Sequence, residues 1–223
     1  MRSRESRRGS WLAPAVFSGL LVVSGLVVVV IGQHTHRWAP PPAPPSAALL
    51  ATPTASGGAA TGLVAAPLPR SAPVSVRIPA IGVAARIIPV GLNANRTVQV
   101  PSLRTPFLTG WFDGGAAPGQ TGPAVLLGHV DSALVGPAVF YRLGELRPGN
   151  LVYITRDDQR VAVFRIGSVA LYPQWDFPTK QVYGFTMRPT LRLITCGGDF
   201  DTHTHLYLDR TIAFASYVGQ EKA

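Results

Sequence analysis

From Val74 onward the chain is written in short apolar runs that Pro and Gly cut off early, and this texture limits its fold more than any other feature. The runs are VSVRIPAIG, AARIIPVGL, TVQVP, PAVLLGHV, NLVYITR, RVAVFRIGSVAL, LRLITC and DRTIAFASYV, all rich in β-branched residues. Some alternate apolar and polar positions, others are continuously apolar, and turn residues such as ArgAspAspGln separate two of them. Eight strands are therefore predicted, in an all-β barrel or sandwich. Ser132 to Leu146, SALVGPAVFYRLGEL, is the best place for short helical turns. The chain shows neither an internal repeat nor a heptad.

The first third reads differently. Residues 11–32, WLAPAVFSGLLVVSGLVVVVIG, carry no charge and match the roughly 20 residues needed to cross the hydrocarbon core. The preceding tail, residues 1–10, holds Arg2, Arg4, Arg7 and Arg8 against Glu5. Clustered arginines stay on the cytoplasmic side, so a single-pass anchor with an extracellular remainder is predicted. A cleaved signal peptide fits less well. The run exceeds the usual apolar region of such peptides, and His34, His36, Arg37 and Trp38 follow it in place of a small-x-small cleavage site. Residues 33–72 form a Pro/Ala/Ser/Gly-rich stretch that reads as a flexible linker. Extended at the polyproline rise, its charge-free part reaches about 100 Å, enough to hold a domain at 73–223 away from the membrane.

The formal charge of +9 invites a nucleic-acid reading. Residues up to Arg37 hold five arginines and one glutamate; the rest carry 15 basic and 10 acidic residues, scattered singly with no basic cluster or helix. That distribution argues against nucleic acid as a partner. A mildly positive surface facing an anionic envelope accounts for it.

Cys196 is the only cysteine. In an exported domain a lone cysteine pairs with another chain or stays a free thiol, and a free thiol there is a candidate nucleophile. The thiolate is the reactive form, so a nucleophilic cysteine needs a neighbour that lowers its pKa or takes its proton. Of the five histidines, His129 is the best partner: it follows the run PAVLLG and precedes ValAspSer, where a strand ends. A surface histidine at a strand end is the plain alternative. His203 and His205 form a HisThrHis pair without a third ligand, and Asp199 and Asp201 are too few for calcium, so neither metal nor cofactor is expected. Arg210 enters the apolar run of TyrLeuAspArgThrIleAlaPheAla. A buried arginine is costly without an anionic partner, which points either to a salt bridge with Asp199, Asp201 or Asp209 or to a site that binds developing negative charge.

The segment LRLITCGGDFD resembles the strand-and-cysteine signature of sortases, the membrane-anchored cysteine transpeptidases of Gram-positive bacteria, whose motif runs Thr-Leu-x-Thr-Cys. Arg192 stands here where the first Thr often does. The fuller set RIPAIGVAARIIPVGL, VLLGHVDS, GPAVFYRLGELRPGN, FPTKQVYG and LITCGGDFD is similar to the class F sortases of actinobacteria, over about Val74 to Val218.

That resemblance implies an eight-stranded sortase-type barrel with short helical connections. It implies Cys196 as nucleophile, His129 as proton donor and acceptor, and Arg210 as the residue that orients substrate and stabilises the oxyanion. Many class F relatives place Arg two residues earlier, where this chain has Leu208; positions 208 and 210 of a strand share a face. Thr195 is expected to line the substrate groove, and the backbone N–H of Gly197 to complete an oxyanion hole. The aromatic segment Tyr172 to Phe185 is either a wall of that groove or a cap on the core. Partners implied are secreted proteins with a C-terminal Leu-Pro-x-Thr-Gly-like sorting signal, and an amine of peptidoglycan or its lipid-linked precursor. Two rivals remain: an inactive sortase-like binding module, and an L,D-transpeptidase. The latter enzymes hold His, Ser, Gly and Cys in one motif, whereas His129 and Cys196 are far apart here. A papain-like cysteine would open a helix rather than end a strand.

Overall fold

The computed structural model describes residues 39–45 and 65–222. Eight strands close into a barrel. In chain order they are β1 (Pro73–Ile78), β2 (Val83–Val90), β3 (Thr109–Phe112), β4 (Gly122–Leu127), β7 (Leu151–Arg156), β8 (Arg160–Pro173), β9 (Pro189–Asp201) and β10 (Leu206–Lys222). A two-stranded hairpin, β5 (Asp131–Ser132) and β6 (Gly136–Pro137), stands outside it. Around the barrel the order is β1-β2-β3-β4-β9-β10-β8-β7, closing back on β1. The pairs β2/β3 and β4/β9 are parallel and all other barrel pairs antiparallel.

Alternation of side chains along the strands sorts the apolar residues into two layers. Val76, Ile78, Leu126, Ile154, Phe164, Leu191 and Leu193 belong to the large cluster that fills the barrel, capped by Phe140 and Leu143. Val125 and Leu127 of β4, Ile194 of β9 and Ile212 of β10 belong to a second cluster with Val90 and Val182. Val182 lies on the one short α-helix among the described residues, α1 (Thr179–Tyr183), so this second layer is the outer face of the sheet beneath the β8–β9 connection. Burial on both faces is why LITC and AVLL read as continuously apolar rather than alternating.

Seven of the eight expected runs are barrel strands; TVQVP is not. It is mostly exposed and pairs only through a bridge between Leu92 and Val98. The place in the barrel belongs to β3, Thr-Gly-Trp-Phe, whose Trp111 is buried and donates its indole N–H to the Ala116 carbonyl at 3.1 Å. Four residues with a central glycine give little periodicity to read. The expected helical turns reduce to a 3-10 turn at Leu143–Glu145, while α1 falls in the aromatic segment instead.

Parts of the expected linker are packed on the barrel. Leu68 is buried in the main cluster, and its N–H donates to Gly119 O at 2.8 Å. Pro44 is also buried, and Tyr141 donates its hydroxyl to Pro40 O at 3.3 Å. A Cβ on Gly144 would collide with the Pro42 carbonyl, so this proline stretch sits directly on the 3-10 turn. The apolar run 11–32 lies outside the described residues; among those described, no helix is long and apolar enough to cross a membrane.

One polar group stitches the N-terminal approach to the barrel. Arg156, buried at the end of β7, donates to Pro69 O at 2.7 Å and to Pro118 O, and forms a two-pronged pair with Asp158 at 3.1 and 2.8 Å. Removing it strands two carbonyls and opens a void. Arg156→Ala should therefore cost about 3 kcal/mol, read as a fall in Tm of about 10 °C for a domain of this size.

Candidate active site

Cys196 lies near the end of β9, and both neighbouring strands contribute to its surroundings. On one side β4 runs parallel with Leu127 opposite Ile194, and the Gly128 N–H extends the ladder by donating to Ile194 O at 3.1 Å. Carrying that register on by two residues sets His129 level with Cys196. On the other side β10 runs antiparallel, and Arg210 is the direct partner of Cys196. Because Ile194 and Ile212 face outward two pairs below, Cys196 and Arg210 project from the same outer face. His129, Cys196 and Arg210 thus form one row across three adjacent strands.

The histidine is held on both its backbone and its ring. Gly128 precedes it because a Cβ there would come within 2.6 Å of Phe140 and Val139. The Phe140 N–H donates to His129 O at 3.0 Å, and the Ala138 N–H to Val130 O at 2.9 Å, so the turn is zipped to the segment after β6. The ring Nε2 is 2.6 Å from the carbonyl of Pro101. A carbonyl can only accept, so Nε2 carries the proton and Nδ1 is left as the basic nitrogen.

The cysteine is half-buried, and burial is the largest cause pushing its thiol above the ordinary range; the charge of Arg210 opposes this and that of Asp131 adds to it. The resting group is therefore a thiol. Arg210 does not form the salt bridge that its aspartate neighbours suggested. Its guanidinium donates to the carbonyls of Tyr207 at 3.2 Å and Asp209 at 2.8 Å and to Gln174 Oε1 at 3.0 Å, all neutral acceptors. Among the described residues no carboxylate pairs with it, so the row keeps an uncompensated positive charge.

Two expectations change. Thr195 is only 4 % exposed, beneath the cysteine and level with Thr211 inside the barrel, because successive side chains of a strand take opposite faces. Its side chain therefore lies under the site rather than along a groove on the outer face. Gly197 is buried as well, and a Cβ on it would collide with the Thr211 hydroxyl and press on Leu171. Barrel packing, rather than a clear approach to the thiol, explains the absence of a side chain there. At Gly198, φ is +72°, and between Asp209/Gly197 and Tyr207/Phe200 the β9 strand carries one extra residue, a bulge that interrupts the ladder just past the cysteine.

The remaining histidines stand apart. His203 and His205 lie exposed in the turn between β9 and β10, where the His203 N–H caps onto Asp201 at 2.8 Å. Among the described residues no group of three metal-ligating side chains converges. His34 and His36 lie outside the described residues. The structure adds four participants that the sequence pattern did not flag: Pro101 at the histidine, Gln174 at the arginine, and Asp131 and Tyr207, joined by a hydrogen bond from the phenol to the carboxylate. Of these, Asp131 had a readable cue in its spacing, two residues after the histidine.

The barrel resembles that of sortase A from Listeria monocytogenes, with a TM-score of 0.51 at 16% identity over 69% of this chain and 90% of that one. Sortase C1 from Streptococcus agalactiae gives 0.50 at 14% identity, over 65% of this chain and 66% of that one. Likeness at such identities speaks for the fold. No curated protein matches the sequence. The family model described as the sortase domain matches residues 76–218, a stretch that contains His129, Cys196 and Arg210. The chain belongs to the sortase family.

Proposed function

We propose that this sortase is a membrane-tethered cysteine transpeptidase of the class F type, anchored by residues 11–32 with its barrel outside the cell. It cuts a Leu-Pro-x-Thr-Gly-like signal near the C-terminus of secreted proteins and joins the new acyl end to an amine of peptidoglycan or its lipid-linked precursor. The observation that carries this reading is the outer-face row of His129, Cys196 and Arg210, set by strand register. Nucleophile, base and uncompensated cation meet there, which is the set that acyl transfer requires.

In the first step the Cys196 sulfur attacks the Thr carbonyl carbon, and its proton passes to Nδ1 of His129. The C–N bond then breaks, His129 returns that proton to the departing amine of Gly, and a thioester remains. In the second step an amine attacks the thioester, His129 takes the surplus proton, and the sulfur leaves. Water in place of the amine gives hydrolysis as a side reaction. Arg210 and the Gly197 N–H stabilise the oxyanion of both tetrahedral intermediates, and the Pro101 carbonyl steadies the imidazolium through Nε2–H. A tether suits this substrate, because both partners held at one membrane meet at raised effective concentration.

Two outcomes are expected. With the full-length protein, a Leu-Pro-x-Thr-Gly peptide and excess amine, Cys196→Ala should abolish ligated product, while His129→Ala and Arg210→Ala should each lower its rate by about 10²- to 10³-fold. Full activity in Arg210→Ala would remove arginine from the mechanism, and no product with wild type across varied signal peptides would favour an inactive, binding-only relative. The second outcome concerns the thiol. Arg210 favours the thiolate, so Arg210→Gln should move the midpoint of iodoacetamide alkylation of Cys196 to higher pH.

A further inference from the structure

The hydrogen bond between Tyr207 and Asp131 joins the two strand ends that flank the cysteine. Asp131 opens β5, two residues beyond His129. Val130 between them is buried while His129 and Asp131 are half-exposed, the pattern of an extended segment with both polar side chains on one side. The backbone of this segment is fixed, since Asp131 pairs with Pro137 and Val130 O accepts from Ala138. Tyr207 lies three residues before Arg210 on β10, opposite Phe200, whose ring it meets edge-on at 5.1 Å between centroids. The Tyr207 carbonyl accepts from the Arg210 guanidinium at 3.2 Å, and its hydroxyl donates to the Asp131 carboxylate. An unbroken path therefore runs from Arg210 through Tyr207 and Asp131 to His129. It passes the cysteine strand where the bulge after Gly197 interrupts the ladder.

We propose that Tyr207 and Asp131 act as a positioning pair for the acyl-transfer site, a brace that holds the His129 turn and the Arg210 strand at a fixed separation across the end of β9. Neither side chain takes a proton from the substrate. On the β4 side the ladder with β9 stops at Gly128, and on the β10 side the bulge interrupts it before it resumes at Phe200 and Tyr207. The brace adds a side-chain link from β10 to the turn after β4, beyond the last β4–β9 backbone bond, and the site stays rigid at the end that must admit a peptide. The phenol also tempers the carboxylate, whose charge otherwise faces the thiol unshielded. The ionisable groups that act on that thiol are Arg210 on β10, Asp131 on β5 and Tyr207 itself, with Tyr141 beside the phenol and His129 level with the cysteine in the strand register.

The inference rests on the reading of Cys196, His129 and Arg210 as the acyl-transfer row, and its test separates the two. Full-length Tyr207→Phe, Asp131→Asn and the double variant are compared by kcat/KM for peptide-to-amine transfer and by the pH profile of iodoacetamide alkylation of Cys196. Both substitutions preserve shape, and an unchanged Tm checks the fold. A brace makes the two residues one unit: each single variant loses about tenfold, chiefly in kcat, and the double loses about the same tenfold. Alkylation needs no substrate and moves in opposite directions. It shifts to lower pH in Asp131→Asn, which removes a negative charge, and to higher pH in Tyr207→Phe, which exposes that charge. Losses that multiply to about a hundredfold in the double variant overturn the brace, as does an alkylation midpoint that neither substitution moves. If wild type transfers no peptide at all, the transpeptidase reading fails, while the opposed alkylation shifts still decide for or against the brace.

Discussion

The parallel pairing of β4 with β9 is the constraint on which the rest of the site depends. His129 and Cys196 are 67 positions apart in the chain, and only the register that sets Leu127 beside Ile194 brings them level. Parallel neighbours cannot be joined by a hairpin, so the intervening chain has to travel. It does so through β7 and β8, which close the far side of the barrel, and through the β8–β9 connection, which returns over the outer face. That return supplies α1, whose Val182 packs on the outer apolar layer, and Gln174, which steadies Arg210. The apolar layer serves as the floor on which the row of His129, Cys196 and Arg210 stands. Val125 and Leu127 on β4, Ile194 on β9 and Ile212 on β10 are buried two or four positions below it and fix the height of the strands that carry it.

Charge in the row is arranged by what is left out. An arginine at the edge of an apolar face ordinarily acquires a carboxylate, and Arg210 has three aspartates near it in sequence. The fold sends two of them elsewhere. Asp201 caps the β9–β10 turn through the His203 and Thr204 groups, and Asp209 meets the backbone at Gly198, where only glycine fits. Asp131, which reaches the site from the hairpin, is engaged by the Tyr207 phenol instead of by the guanidinium. The cation therefore stays unneutralised beside a thiol that burial keeps protonated, a combination that favours negative charge when it forms on the substrate rather than in the resting protein.

Much of this was legible in the sequence, for identifiable reasons. LRLITC and DRTIAFASYV are long strands buried on one or both faces, so their apolar patterns are strong, and they carry Cys196 and Arg210 at their ends. His129 was readable from the glycine before it and the strand it terminates. What escaped was decided by tertiary packing. Thr-Gly-Trp-Phe is too short to show a period, and TVQVP has strand composition but pairs only through the Leu92–Val98 bridge, outside the barrel. Gly197 suggested an open approach, yet its bare backbone is demanded by Thr211 across the ladder. The same alternation that places Cys196 outward turns Thr195 inward, a consequence of strand geometry that a motif alone does not display. Pro101, Gln174 and Tyr207 lie 28, 45 and 78 positions from His129, and no local pattern marks contacts made through a backbone carbonyl or a single side-chain bond.

The central claim, that Cys196 is an acyl-accepting nucleophile in a row with His129 and Arg210, is tested most directly by intact-protein mass spectrometry of the full chain mixed with a sorting-signal peptide and no amine. The account predicts an adduct of acyl-peptide mass on Cys196 that hydroxylamine removes and an added amine discharges as ligated product. A protein whose mass stays unchanged, or an adduct on any residue other than Cys196, would contradict it.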